Sequence, residues 1–125
     1  MSNGKIISKD ISYKIMGALY NVHNALGPGF SENIYEKALI EEFNRQNIPF
    51  VNQPLIKIKY NDKVVGLHKL DFIIANEVVL EIKAQPDLLP IHHMQVRSYL
   101  KSVKIKLGIL ANFGKEKVEA KRILV

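Results

Sequence analysis

Apolar residues in the first third of the chain recur at helical spacing. Ile11, Ile15, Ala18, Leu19, Val22, Ala25 and Leu26 form one stripe, which predicts an amphipathic helix over residues 10–26. Ser8 or Asp10 can cap its start, and Gly27-Pro28-Gly29 ends it. A second helix is predicted over residues 31–46, with Ile34, Tyr35, Ala38, Leu39 and Phe43 turned inward. Asn47 and Pro49 stop it. From Phe50 the pattern changes. Residues 55–60 alternate apolar and basic, as a half-buried strand does. Asn61-Asp62-Lys63 turns the chain, and a return strand starts at Val64 and runs towards Asp71. A second turn at 75–77 leads into an apolar strand over 78–83. Breakers fill 84–90, a helix is predicted over 91–102 with Pro90 near its first turn, and 106–112 reads as a buried strand. A helix connects the last two strands, so they should be parallel. Residues 118–125 can add an edge strand. The predicted class is α/β, with helices flanking a mixed sheet.

Charged residues are rare in the middle of apolar strands unless something holds them there. Asp71, Glu81 and Lys83 break that rule together. Glu81 and Lys83 are two apart and leave the same strand face, and pairing of the two strands brings Asp71 to them. Two carboxylates beside one ammonium form a site for a hard cation, magnesium or manganese, and suit metal-assisted phosphodiester hydrolysis. The Ile82 carbonyl is a candidate third ligand, and Lys83 can serve the attacking water or the developing charge. A surface salt bridge between Glu81 and Lys83 is the bland alternative, since an E-x-K triplet alone is common.

Gln95 and Tyr99 are one helical turn apart on the helix that follows this strand. They can hold a water or a phosphate oxygen, or else pack at the helix–sheet interface. Glu32 and Glu36 flank Tyr35 at the start of the second helix. Glu32 either complements the helix dipole or lends a further carboxylate to the metal. His92 and His93 point about 100° apart on a helix and cannot easily chelate one ion. His92 instead joins Tyr99, Tyr35 and Lys69 as a candidate substrate contact.

Totals narrow the partners. At 125 residues, 47% apolar and 24% charged, the chain suits one domain over residues 1–125. The absence of cysteine excludes disulfides and thiolate metal sites and fits a reducing, cytoplasmic setting. No stretch approaches a membrane span, and the start after Met1 lacks the apolar segment of a secretory leader. A net charge of +6 favours a polyanion, nucleic acid first, with a merely solvated basic face as the alternative. No phosphate-binding loop, H-E-x-x-H or nucleophile elbow is present.

Gly29-Phe-Ser-Glu32-Asn-Ile-Tyr35 resembles the signature of the GxxExxY proteins, within the PD-(D/E)XK nuclease superfamily. The likeness runs from about Ile11 to the C-terminus and takes in Asp71, Glu81-Ile82-Lys83, Gln95-x-x-x-Tyr99 and Leu107-Gly-Ile-Leu110. It implies a restriction-endonuclease-like αβββαβ core. It implies Asp71 and Glu81 as ligands of magnesium, Lys83 as the residue serving the water, Glu32 as the first-helix acid, and Gln95 and Tyr99 as positioning groups. Lys69 stands where relatives usually carry Arg, which keeps the charge but loses bidentate phosphate geometry. Leu70 replaces the signature Pro. The expected activity is a magnesium-dependent nuclease on DNA, directed by structure or a partner, and compatible with a homodimer. The alternative is a catalytically silent nucleic-acid-binding or protein-interaction module on the same fold.

Overall fold

The computed structural model describes residues 4–125, with side chains from Lys9 onward. Helix α1 (Gly4–Leu26) starts well before residue 10. Nothing between Lys5 and Lys9 breaks a helix, so Ser8 and Asp10 sit inside it rather than capping it. Asp10 instead pairs with Lys14 one turn on, at 3.7 Å. Residues 1–3, part of the start read as lacking a secretory leader, lie outside the described residues. Gly27 (φ 71°) and Gly29 (φ 111°) follow in backbone conformations that suit glycine, and Gly27 N–H donates to the His23 carbonyl at 2.7 Å.

Helix α2 (Glu32–Arg45) buries Tyr35, Leu39 and Phe43 as expected. Ile34 does not turn inward; it is 41% exposed, and Glu36 takes the inward position. Positions 35, 36, 39 and 43 form one stripe, which Ile34 flanks on the solvent side.

A five-stranded sheet has the order β1 (Phe50–Asn52), β4 (Phe72–Ile74), β5 (Val78–Lys83), β6 (Leu107–Asn112), β7 (Glu119–Leu124). β5 and β6 are parallel, as predicted from the helical connection, and the other pairs are antiparallel. β2 (Leu55–Tyr60) and β3 (Lys63–Lys69) form a separate two-stranded ribbon. The three predicted antiparallel strands are therefore not one continuous sheet.

The register shows why. Asn52 pairs with Phe72, and Leu55 pairs with Lys69. The offset is the same on both sides of the break. One hairpin thus runs from Phe50 to Ile74 and is kinked in the middle. Main-chain bonds carry it through the kink: Gln53 N–H donates to Asp71 O at 2.8 Å and Leu70 N–H to Pro54 O at 3.0 Å. Gln53 adopts φ 56°, which no extended strand permits, and Pro54 has no N–H to continue the ladder. Asp71 lies at this kink.

Helix α3 (Pro90–Val103) covers the opposite sheet face from α1 and α2. Val78, Leu80 and Ile82 point into the core with α1 and α2, while Val79 packs with Val96 and Leu100 of α3. Gly108 lets α3 approach β6: a Cβ there would meet Val96 Cγ1 at 2.7 Å. The result is a mixed sheet flanked by helices, consistent with a restriction-endonuclease-like fold.

Candidate active site

Strand alternation puts Glu81 and Lys83 on the face of Val79, beneath α3. Asp71 falls on the same face because its neighbour Phe72 points the other way, into the α1/α2 core. Extending the β4–β5 register by one residue sets Asp71 opposite Glu81. At that point the backbone ladder is replaced by a reciprocal clasp. Asp71 N–H donates to Glu81 Oε2 at 2.7 Å, and Ile82 N–H donates to Asp71 Oδ2 at 2.7 Å. In a strand, the N–H and C=O of one residue leave on the same side, so the Ile82 carbonyl also faces the edge that the kink vacates.

The clasp holds two carboxyls together in a poorly hydrated place. Burial, then the Asp71 charge, pushes the Glu81 carboxyl up to about 8, against the Asp71 N–H bond and the Lys83 charge. Burial likewise pushes Asp71 up to about 6, against the Ile82 N–H bond, with Glu36 and Glu32 adding to the rise and Lys83 opposing it. Among the described residues, no Lys or Arg makes an ion pair with either carboxylate.

Lys83 is half-buried beside them. Tyr99 of α3 is also half-buried; burial and the charges of Glu81 and Asp71 raise its phenol, which keeps its proton at neutral pH. Its ring stacks on His68 of β3, with centroids 4.1 Å apart and planes at 17°. Burial and the Lys83 charge lower the His68 imidazole. His68 belongs to the site and sequence reasoning missed it. Its signal was its place in the alternating strand, across from the inward Ile56.

Asn52 and Gln53 were also missed, as was the part that Glu36, named above beside Glu32, plays with them. Glu36 is buried, and its Oε2 accepts from Asn52 Nδ2 at 2.7 Å and Gln53 Nε2 at 3.1 Å. Asn52 Nδ2 also donates to Asp71 O at 3.1 Å. These groups fix the kink. Asn52-Gln53-Pro54 carries a turn signal, but only the kinked pairing gives it meaning.

The remaining candidates are placed as follows. Glu32 is exposed at the start of α2, near enough for its charge to raise both carboxyls. Gln95 is exposed on α3, and its side chain makes no hydrogen bond among the described residues. Lys69 is exposed at the end of β3. Tyr35 and His92 are differently employed. Tyr35 is wholly buried, stacked on Phe113 at 4.5 Å, and its hydroxyl donates to Gly27 O at 2.5 Å and accepts from Phe30 N–H at 3.2 Å. It pins the loop that launches α2 and has no surface to offer a substrate. His92 is buried, and its Nδ1 accepts from Leu89 N–H at 3.0 Å, capping α3.

Among the described residues, no three His, Asp or Glu side chains gather as a metal cage. Two carboxylates suit magnesium or manganese nonetheless, because such ions keep several waters and take substrate phosphate oxygens as ligands. Buried oxyanions forced together without a paired cation are the chemistry of such a donor set.

Residues 9–123 match the family model of the PD-(D/E)XK nuclease superfamily. No curated protein matches the chain. Among solved structures, a chain described as "Crystal structure of SSO0001" is similar, with 24% identity and a TM-score of 0.59, over 74% of this chain and 48% of that one. This chain spans about half the length of that neighbour, and the likeness bears on the fold alone.

Proposed function

The chain belongs to the PD-(D/E)XK nuclease superfamily, and from that premise we propose that it is a metal-dependent nuclease hydrolysing phosphodiester bonds in DNA. The observation that carries this reading is the Asp71–Glu81 clasp: a half-buried and a buried carboxyl held by main-chain N–H groups, with no ion-paired cation among the described residues. Asp71 and Glu81 would hold magnesium or manganese, with the Ile82 carbonyl as a third protein ligand. Such an ion, when bound, lowers the pKa of a water ligand and neutralises charge on the scissile phosphate.

The chain's own residues do the rest. Lys83 lies beside the pair and orients the attacking water or donates to a phosphate oxygen as charge develops. Tyr99, still protonated at neutral pH, donates a hydrogen bond to the substrate. Gln95 and Lys69, both exposed, meet the flanking backbone. Glu32 would add a negative charge near the ion, and the Gly29-x-x-Glu32-x-x-Tyr35 segment is read as the GxxExxY element. In it Tyr35 holds the loop and Glu32 faces the site.

The test is cleavage of varied DNA and RNA substrates with magnesium or manganese, beside direct titration of manganese. Cleavage lost in Asp71→Asn and Lys83→Ala, with manganese affinity lost in Asp71→Asn, is the expected result. Nucleic acid binding without cutting under any condition would instead identify a silent binding module on this fold.

A further inference from the structure

The β2–β3 ribbon and the C-terminal half of α3 enclose a groove of about 820 Å³. One wall carries Lys57 and Lys59 from the ribbon, and the other carries Lys101 and Lys104 from the end of α3; Asp62 at the ribbon tip is the acidic residue in the lining. All four lysines are exposed, and among the described residues none makes an ion pair. Lys115, near the C-terminus, shows the contrast: it is shared between Asp87 at 3.4 Å and Glu119 at 3.9 Å.

The groove lies beside the candidate site. Ile56 in its lining pairs with His68 across the ribbon, and His68 stacks on Tyr99. Ser102 and Val103, also in its lining, lie one helical turn beyond Tyr99 on the same helix face. A further observation concerns Lys104. It ends α3 with φ 59° and ψ 39°, the left-handed conformation that glycine adopts most readily at a helix end. Lys104 thus stands where backbone preference alone favours glycine, and it lines the groove.

Lysines on both sides of a groove that lies beside the candidate site match a ligand with repeated negative charges. Lysines act on phosphate as flexible point charges and so track a backbone without reading bases. We propose that this groove holds the phosphodiester backbone flanking the bond to be cut, so that the substrate leaves the site between the ribbon and α3. This rests on the nuclease reading for the position of the cut.

The experiment measures binding of a DNA duplex and of its single strand by fluorescence anisotropy over a salt series, in the Asp71→Asn chain so that nothing is cut. Lys101→Ala with Lys104→Gly empties one wall, and Lys104→Gly suits the backbone conformation. Lys57→Ala with Lys59→Ala empties the other wall. Lys9→Ala with Lys117→Ala is the control, and thermal melting checks each fold. Each groove pair should weaken binding roughly 10-fold or more at low salt and reduce the slope of log K against log[salt] by about two. The control pair should change affinity no more than about 2-fold. The proposal is overturned if the groove pairs behave as the control does, or if the chain binds neither form of DNA. Cleavage by the unmodified chain with groove pairs like the control removes the groove alone. Groove-dependent binding without any cleavage keeps the groove and removes the nuclease reading.

Discussion

Two clusters of carboxylate chemistry in this chain are built in opposite ways. Near the end of α2, Glu42 accepts from Arg45 Nε at 3.1 Å, Arg45 Nη2 at 2.7 Å, Asn21 Nδ2 at 2.9 Å and Gln46 Nε2. Its carboxyl is held down at about 2, mostly by the bond from Arg45. At the kink, Asp71 and Glu81 each accept one main-chain N–H and otherwise face each other, and both carboxyls are pushed up. Glu42 is satisfied from within the chain. The clasped pair is positioned from within the chain, and among the described residues no cation pairs with it, so it holds on to protons instead. A cluster of the first kind stabilises a fold, and one of the second kind costs stability, as arrangements at functional sites commonly do.

The largest expected effect separates the two clusters directly. Glu81→Gln keeps an acceptor for Asp71 N–H but removes a charge. Cleavage should fall by roughly a thousandfold or more, while the metal-free chain should gain up to roughly 4 kcal/mol at pH 8, since the Glu81 carboxyl is raised from 4.5 to about 8 and one pKa unit corresponds to about 1.4 kcal/mol. Glu42→Gln should do the reverse. Cleavage should stay as it was and stability should drop by about 1 kcal/mol or less. Chemical denaturation beside single-turnover cleavage checks both. A Glu81→Gln chain that is less stable at pH 8 would break the contrast.

The pH dependence is next in size. The folded chain keeps protons on Glu81 and Asp71 that the unfolded chain releases near pH 4. Stability of the metal-free chain should therefore fall as pH rises through about 6 for Asp71 and about 8 for Glu81. The difference in melting temperature between wild type and Glu81→Gln isolates this contribution, growing from pH 5 to pH 8. Manganese requires both groups ionised, so its affinity and the stabilisation it confers should rise over the same range, with protons released on binding. Glu42 has the opposite sign: its contribution is present above the ordinary carboxylate range and is lost as pH falls towards 2. Manganese that binds equally well at pH 5 and pH 8 would show that it sits elsewhere.

Much of this was legible in the sequence, and the gaps have physical causes. The helix stripes, the parallel β5–β6 pair and the edge strand follow from periodicity and connection length. The convergence of Asp71, Glu81 and Lys83 follows from strand alternation and one hairpin. The kink does not. Periodicity reports which face a residue occupies, whereas a left-handed Gln53 rotates the frame between two paired stretches. His68, Asn52 and Glu36 acquire their roles only after that rotation. Tyr35 was misleading for a related reason. It shares a motif with Glu32, but positions three apart on a helix still diverge by about 60°, so Tyr35 reaches the core while Glu32, at the start of the helix, stays exposed.

The kink makes a prediction of intermediate size. Asn52→Ala removes one bond to Glu36 and one to the Asp71 carbonyl, and should destabilise the chain by about 1–2 kcal/mol. If the kink positions Asp71, kcat should fall about 10-fold, with manganese affinity falling alongside it and KM little changed. A loss of stability with unchanged manganese affinity would make Asn52 a structural group only.

The smallest expected effect concerns which part of Tyr99 matters. Tyr99→Phe keeps the stack on His68 and removes the hydroxyl, whereas Tyr99→Leu removes both. If the phenol donates to a phosphate oxygen, Tyr99→Phe should lower kcat a few-fold, about 1 kcal/mol of transition-state stabilisation, with no change in melting temperature. Tyr99→Leu should add a rise in KM, because His68 loses the ring that orients it at the mouth of the lysine groove. At Glu42 the donors are all nitrogen groups of the chain, and exchanging one for another changes stability alone. At Tyr99 the hydroxyl has no partner of its own among the described residues, so its removal should register only when substrate is present. A Tyr99→Phe chain that melts lower but cuts at the wild-type rate would assign the hydroxyl to the fold and leave Lys83 as the donor beside the pair.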